Sequence, residues 1–169
     1  MSGVLLLQIV AIPLLCFAAA RDIATRLIPD GISICILAAG IVARVTVGWA
    51  EAGISLLVAL GVFALLLPLA MRGLLGGGDV KLMAALAAGL SPFETWSFVV
   101  ATVFAGGVLG LAYILGRYLV PETRLAPGGP LLRRVLAVEA RRVRRRGPLP
   151  YAVAIAIGGT LVLLNLPGA

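Results

Sequence analysis

Long apolar stretches, separated by short polar segments, run through this chain from one end to the other. A transmembrane helix needs about 20 apolar residues to cross the hydrocarbon of a bilayer. Six stretches approach or reach that length: Val4–Ala20, Gly31–Gly48, Gly53–Met71, Val80–Leu90, Trp96–Val120 and Leu149–Leu166. The fourth is short, since even when it is extended to Pro92 it gives a helix of only about 20 Å. The pattern predicts an all-α polytopic membrane protein, a bundle of six transmembrane helices.

The positive charges indicate which ends of these helices face the cytoplasm. If all six stretches cross, the segments 21–30, 72–79 and 121–148 share one side of the membrane and carry most of the arginines. The other side receives the N-terminus and the acids Glu51 and Glu94, which we expect to be solvated. Basic loops stay on the cytoplasmic side, so the N-terminus is expected outside. The fourth stretch is expected to cross, because otherwise the 121–148 loop would lie outside.

Composition narrows the chemistry that this chain can perform. Of its 169 residues 62% are hydrophobic and 12% are charged, with a net charge of +7. Soluble domains carry about 25% charged residues, so an ordinary soluble protein is excluded. The chain has no histidine, which excludes Ser-His and Cys-His catalysis, His-ligated zinc and haem. Its two cysteines, Cys16 and Cys35, are too few for a disulfide framework or a four-Cys zinc site. Carboxylates are the remaining candidates, and we expect no cofactor or metal.

One segment, about 121–148, differs from the rest because it is rich in Arg, Pro and Gly. We interpret it as a cytoplasmic loop within a single membrane-embedded domain that covers residues 1–169. Leu131–Arg146 is predicted to form a juxtamembrane helix whose arginines contact anionic lipid headgroups. Nucleic acid is not an expected partner, because no interleaved aromatic residues and no recognisable binding module are present.

Three of the seven acidic residues, Asp22, Asp30 and Asp79, lie where a predicted helix meets the cytoplasmic face. Acids next to hydrocarbon are costly and for that reason suggest function. The chain crosses the membrane twice between Asp22 and Asp79, so both return to the same face. Two carboxylates about 3–6 Å apart share a proton. One can then activate a water while the protonated partner polarises a carbonyl, as in aspartic proteases.

The glycines at 76–78, directly before Asp79, offer an unhindered backbone to an extended substrate. Glycines at a membrane boundary also serve to break a helix or to allow tight packing. Composition alone therefore does not separate these two explanations.

Three segments resemble the type IV leader peptidases, also called prepilin peptidases, which are G-x-G-D membrane aspartic proteases. Residues 76–82 (GGGDVKL) resemble the family's G-x-G-D-x-K-L motif. Residues 22–30 (DIATRLIPD) resemble its first-aspartate motif, an Asp followed by a basic residue and Ile-Pro-Asn/Asp. Residues 149–156 (LPYAVAIA) are similar to the start of its last helix, with Ala152 where the family often has Gly.

The resemblance implies that Asp22 and Asp79 are the catalytic pair. It implies removal of a short basic leader from prepilins or pseudopilins at the cytoplasmic face of the bacterial inner membrane. Six further residues are expected to bind substrate or shape the site: Gly76, Gly78, Lys81, Arg26, Pro150 and Tyr151. Asp30 is expected to cap the second helix, and Lys81 to anchor at the interface or pair with a carboxylate.

The chain also departs from the larger members of the family. Only ten residues separate the first two predicted helices, and the Cys-x-x-Cys motifs of the bifunctional members are absent. The resemblance is therefore to the small peptidase-only members of Flp or tight-adherence pilus systems, without N-methyltransferase activity. The pilus assembly machinery is then a further class of partner. Archaeal preflagellin peptidases stay open as a neighbouring group.

Other functions stay open on the residues alone. A proton- or cation-coupled transporter would use Asp22 and Asp79 as ion sites, although such sites usually lie at the midplane between repeated halves, and no repeat is evident. A catalytically silent subunit of a secretion complex is a further alternative. A presenilin-like protease shares G-x-G-D, but its partner aspartate follows a Tyr, whereas Asp22 follows Arg21.

Overall fold

The computed structural model describes residues 3–119 and 149–166, and these fold into six α-helices without a β-strand. The helices are α1 (Gly3–Thr25), α2 (Asp30–Val45), α3 (Trp49–Met71), α4 (Gly77–Ala87), α5 (Pro92–Leu119) and α6 (Tyr151–Leu164). Each coincides with one of the six predicted apolar stretches, which confirms the all-helical prediction for the described part of the chain. The juxtamembrane helix predicted at Leu131–Arg146 lies outside the described residues.

Helix length limits which of the six can cross a bilayer. Three are long and apolar enough: α1 and α3, with 23 residues each, and the first 25 residues of α5. Helix α4 has 11 residues, about 17 Å at 1.5 Å per residue, against about 30 Å of hydrocarbon. Helix α6 is apolar but has only 14 residues. The chain is therefore a membrane protein whose described residues include three helices of spanning length, and the six-crossing bundle stays a prediction.

The core is formed mainly between α1, α2, α4 and α6. The largest fully buried apolar side chains are Leu7 and Leu15 of α1, Ile36 of α2, Leu82 and Leu86 of α4, Phe98 of α5, and Ile155 and Leu163 of α6. Nε2 of Gln8 donates to the carbonyl oxygen of Leu163 at 2.6 Å and ties α1 to the end of α6. Helix α3, by contrast, buries only Ser55 and Ala59. An apolar helix that the protein covers so little is typical of a lipid-facing span.

Glycines allow close contacts between helices. A Cβ atom on Gly158 of α6 would lie 2.7 Å from the backbone N of Thr102 in α5. A Cβ atom on Gly40 of α2 would lie 2.8 Å from Cα of Gly89, just after α4. Small residues at such contacts let backbones approach each other in membrane proteins.

We expect Gly158→Ala to lower the free energy of unfolding by about 1–3 kcal/mol, because the added methyl group forces α5 and α6 apart. Gly107→Ala in α5 is the matched control, since its Cβ atom would meet nothing within 4 Å. Alanine is favoured over glycine in a helix, so the control should be as stable as the wild type or more stable. Unfolding in detergent measures both, and equal midpoints for the two variants would contradict the role of this contact.

Local polar contacts stabilise the ends of α2, α3 and α5 that lie away from Asp22 and Asp79. Ser91 and Glu94 form a capping box at the start of α5: the Ser91 N–H donates to Oε2 of Glu94 at 2.7 Å, and the Glu94 N–H donates to Oγ of Ser91 at 3.3 Å. Nη2 of Arg44 lies 2.9 Å from Oε2 of Glu51. Glu51 and Glu94 were expected to be solvated, but each has a specific partner. The Ser-x-x-Glu spacing at 91–94 is itself a sequence signal for such a capping box.

Candidate active site

Asp22 and Asp79 come together at one end of the helix bundle. Asp22 lies in the last turn of α1, Asp79 lies in the first turn of α4, and each is only 6% exposed. The negative charge of Asp22 raises the pKa of Asp79, so the two side chains lie within electrostatic range of each other. The two acids therefore form one buried pair at the junction of α1, α4 and α6.

The N-terminus of α6 contacts Asp22. The backbone N–H of Ala152 donates to Oδ2 of Asp22 at 3.2 Å. The first N–H groups of a helix lack intrahelical acceptors, and that end of the helix carries a positive partial charge. This contact stabilises negative charge on Asp22. Pro150, which is buried, precedes α6, and the half-buried Tyr151 is its first residue, so the 149–156 segment reaches the site through its backbone.

The surroundings of Asp79 combine burial, one backbone donor and nearby charges. The backbone N–H of Gly76 donates to its carboxylate. Oδ1 of Asp79 is buried and has no hydrogen-bond partner among the described residues. Asp79 lies before the predicted fourth span and outside the three long apolar helices. Burial, together with the nearby charge of Asp22, raises the pKa of Asp79 to about 7, against the opposing effects of the Gly76 N–H and of Arg26.

The three glycines before Asp79 differ in what surrounds them. A Cβ atom on Gly76 would lie 2.7 Å from Oδ2 of Asp79, and one on Gly78 would lie 3.1 Å from Cβ of Ile28. A Cβ atom on Gly77 would meet nothing within 4 Å. Ile28 belongs to the loop between α1 and α2, so Gly78 lets segments 22–30 and 76–82 pack directly. A methyl group at the first or third position would therefore displace a neighbouring side chain, whereas one at the second would not.

Lys81 pairs with Asp30 at the same end of the bundle. Nζ of Lys81 lies 2.8 Å from Oδ1 and 2.9 Å from Oδ2 of Asp30. The pair joins the start of α4 to the start of α2, and because both side chains are largely exposed it contributes about 0–1 kcal/mol. Lys81 was expected to pair with a carboxylate, and Asp30 is that carboxylate.

The expected N-cap role of Asp30 is corrected. Asp30 is the first residue of α2, Pro29 occupies the N-cap position, and the cap has no side-chain hydrogen bond. The carboxylate turns to Lys81 instead, because hydrogen bonds between charged groups are stronger than those to a neutral N–H.

An apolar cavity of about 430 Å³ lies between α2, α3 and α4, with Asp30 and Lys81 among its lining residues. Helix α4 contributes Lys81, Ala84 and Ala85 to its wall. Lys81 is two residues beyond Asp79, which is about 200° around the helix. The cavity therefore lies on the face of α4 opposite to Asp79 and is separate from the carboxylate pair.

Arg26 is the third charged residue near the pair. It follows the last residue of α1, and its backbone N–H donates to the carbonyl oxygen of Asp22 at 2.9 Å. The side chain is half-buried, and its positive charge acts on Asp79. Arg26 thus belongs to the cluster that Asp22 and Asp79 form.

Two contributors to this site, Ala152 and Ile28, are not among the residues predicted to form it. Ala152 is expected only to differ from the family pattern, because nothing in residues 149–156 reveals that the start of α6 lies beside an acid 130 residues away. Ile28 is part of the 22–30 motif, but an apolar residue in a short loop does not reveal that it contacts Gly78.

Comparison with known proteins gives one match. A sequence model of the type IV leader peptidase family matches residues 9–115, which include segments 22–30 and 76–82 but not 149–156. A peptidase of prepilin-type substrates is what this family implies. No curated protein and no solved structure matches the chain. Because the matched range covers more than half of the 169 residues, the chain belongs to the type IV leader peptidase family.

Proposed function

We propose that this protein is an aspartic endopeptidase of the bacterial inner membrane. It cleaves the short basic leader from Flp-type prepilin-like substrates at the cytoplasmic face and does not methylate the product. The observation that carries this proposal is the buried pair of Asp22 and Asp79 beside the N-terminus of α6. A peptidase needs a group that activates water and a group that protonates the carbonyl oxygen, and this pair can supply both.

The environments of the two acids favour different roles. Asp22 is the ionised base, because the Ala152 N–H and the positive end of α6 stabilise its negative charge. Asp79 carries the shared proton, because burial and the charge of Asp22 disfavour a second ionised group. A general acid and a general base are typically a pair of titratable groups whose environments push their pKa values apart.

The reaction then follows from these protonation states. Asp22 takes a proton from water while the water oxygen bonds to the carbonyl carbon of the scissile peptide, and Asp79 gives its proton to the carbonyl oxygen. The C–N bond of the tetrahedral intermediate breaks as the leaving nitrogen takes the proton from Asp22. Asp79 recovers its proton from the hydroxyl group as the new carboxyl group forms.

The charges at this end of the bundle support a cytoplasmic site. Arg21 lies near the C-terminus of α1, Arg26 directly follows α1, and Arg72 directly follows α3. Clustered arginines in short loops favour the cytoplasmic side. The basic segment at 121–148 adds to this bias by composition alone.

Co-expression with prepilin-like substrates of several classes tests the proposal. We expect a faster-migrating product whose mass corresponds to loss of the leader, with an unmodified amine at the new N-terminus. A methylated terminus contradicts the peptidase-only form. Failure to cleave any class contradicts the function itself.

The cleavage rate is expected to follow a bell-shaped dependence on pH, as a pair with one shared proton requires. The alkaline limb should fall with a midpoint near the Asp79 pKa of about 7, because loss of that proton leaves two carboxylates and no donor. The acid limb should fall when the base also becomes protonated. Initial rates in proteoliposomes from acid to alkaline pH measure this, and a flat profile would contradict the shared proton.

A further inference from the structure

Arg26 is held in a backbone conformation that arginine rarely adopts. Its φ angle is 58°, and among the residues that the structure describes it is the only non-glycine residue with a positive φ. The position after the C-terminus of a helix is often left-handed, but glycine usually occupies it because glycine has no Cβ atom. Strain of this kind persists where the surrounding structure compensates for it, and it is concentrated at active sites.

The position of Arg26 brings its charge to the carboxylate pair. Its backbone is hydrogen-bonded to the carbonyl of Asp22, so both side chains start from the last turn of α1. Nε and Nη1 of Arg26 are shielded from solvent. The charge of Arg26 opposes the rise in the pKa of Asp79, so the guanidinium group lies within electrostatic range of that acid.

The neighbouring cations do not share this position. Lys81 is engaged with Asp30 and lies on the other face of α4. Arg21 and Arg72 are exposed. Among the described residues, Arg26 is thus the cation that acts on Asp79.

Charge balance explains why a cation is needed here. In its working form the Asp22–Asp79 pair carries one negative charge, and both acids are buried. An isolated buried charge is strongly unfavourable, whereas a buried charge with a hydrogen-bonded counter-ion is much less so. Among the described residues, Arg26 supplies a positive charge that balances it.

We propose that Arg26 is a positioning residue of the active site whose guanidinium group balances the single negative charge of the Asp22–Asp79 pair and so limits how tightly the buried pair holds its protons. This inference rests on the proposed function, because its first test measures cleavage of a prepilin substrate. Without this charge the pair retains its protons more tightly, so both limbs of the pH profile move to higher pH.

Three substitutions separate charge from backbone strain. Arg26→Gly and Arg26→Asn remove the charge and suit the left-handed conformation, whereas Arg26→Lys keeps the charge. Arg72→Gln removes an exposed arginine at the same end and is the matched control. Cleavage by the full-length protein in proteoliposomes is measured against pH, together with the unfolding temperature of each variant.

We expect the profiles of the two neutral variants to move to higher pH by up to about 1 unit, the low end of the usual influence of a nearby cation on a carboxyl group, because Arg26 is the weakest of the four influences on Asp79. Arg26→Lys and Arg72→Gln should keep the wild-type profile. Arg26→Gly should unfold at the wild-type temperature or above, because the strain is relieved. Loss of cleavage at every pH in the neutral variants but not in Arg26→Lys also supports the proposal.

A profile that keeps its wild-type position in the neutral variants overturns the proposal, whatever the maximal rate. Equal loss of cleavage in all three Arg26 variants overturns it too and identifies a structural role. If the wild type cleaves no prepilin, the proposed function has failed instead. The carboxyl infrared band of Asp79, titrated in wild type and Arg26→Gly, then tests the charge balance by itself: a higher midpoint in the variant supports it, and an unchanged midpoint overturns it.

Discussion

Asp22→Asn and Asp79→Asn are each expected to abolish leader removal while the protein still folds and inserts in the membrane. Asparagine keeps the shape of the side chain but cannot exchange the proton that the reaction transfers. General acid–base catalysis contributes roughly 10²–10⁴-fold, so each single variant should lose at least that factor. The double variant should be little slower than either single one, because the two acids act as a unit. Single-turnover cleavage followed by gel mobility and product mass measures these rates.

Glu51→Gln is the control that tests whether removal of an acidic residue elsewhere in the protein lowers the cleavage rate. Glu51 lies at the start of α3, where it pairs with Arg44 away from the carboxylate pair. Its removal should leave the cleavage rate unchanged, and unfolding temperatures should show that all variants are folded. Wild-type cleavage by either aspartate variant would rule out the catalytic assignment.

Gly76→Ala is expected to slow cleavage by about 100-fold, the effect of a displacement of about 1 Å at a reacting group. The added Cβ atom would lie 2.7 Å from Oδ2 of Asp79. The backbone of Gly76 has φ −71° and ψ 139°, which alanine adopts without strain. The Asp79 carboxylate is therefore the group that must move, and the loss should appear in the rate rather than in the unfolding temperature.

Gly77→Ala provides the matched control one residue later. It adds the same methyl group where nothing lies within 4 Å, and in a helix alanine is favoured over glycine by about 1 kcal/mol. Its cleavage rate should equal that of the wild type. Wild-type activity in Gly76→Ala, or an equal loss in both variants, would show that contact with Asp79 is not what requires glycine.

Hydropathy located the helices but not their ends. Helix α1 continues to Thr25, beyond the predicted end at Ala20, and α4 begins at Gly77 rather than at Val80. Hydropathy reports which residues prefer lipid, whereas a helix continues for as long as its backbone hydrogen bonds can be made. The polar residues Asp22 and Asp79 therefore lie inside helices, which gives each carboxylate a defined direction.

Local rules also failed where a distant partner was available. Asp30 had a suitable position for a helix cap, but Lys81, 51 residues away, attracts its carboxylate more strongly. No local pattern reveals such a pairing, because it depends on how α2 and α4 pack. The same holds for Ala152, whose N–H meets Asp22 across 130 residues.

By itself, the sequence determined the helical class, the two aspartates as candidates and the glycine motif. These follow from local properties: apolar content, the absence of histidine, and residues that are close together in the chain. Only the tertiary structure decided which groups surround each carboxylate. The N-terminus of α6 stabilises Asp22, and burial and Arg26 act in opposite directions on Asp79. Proton affinity depends on burial and on charges brought near by packing, and neither is present in the unfolded chain.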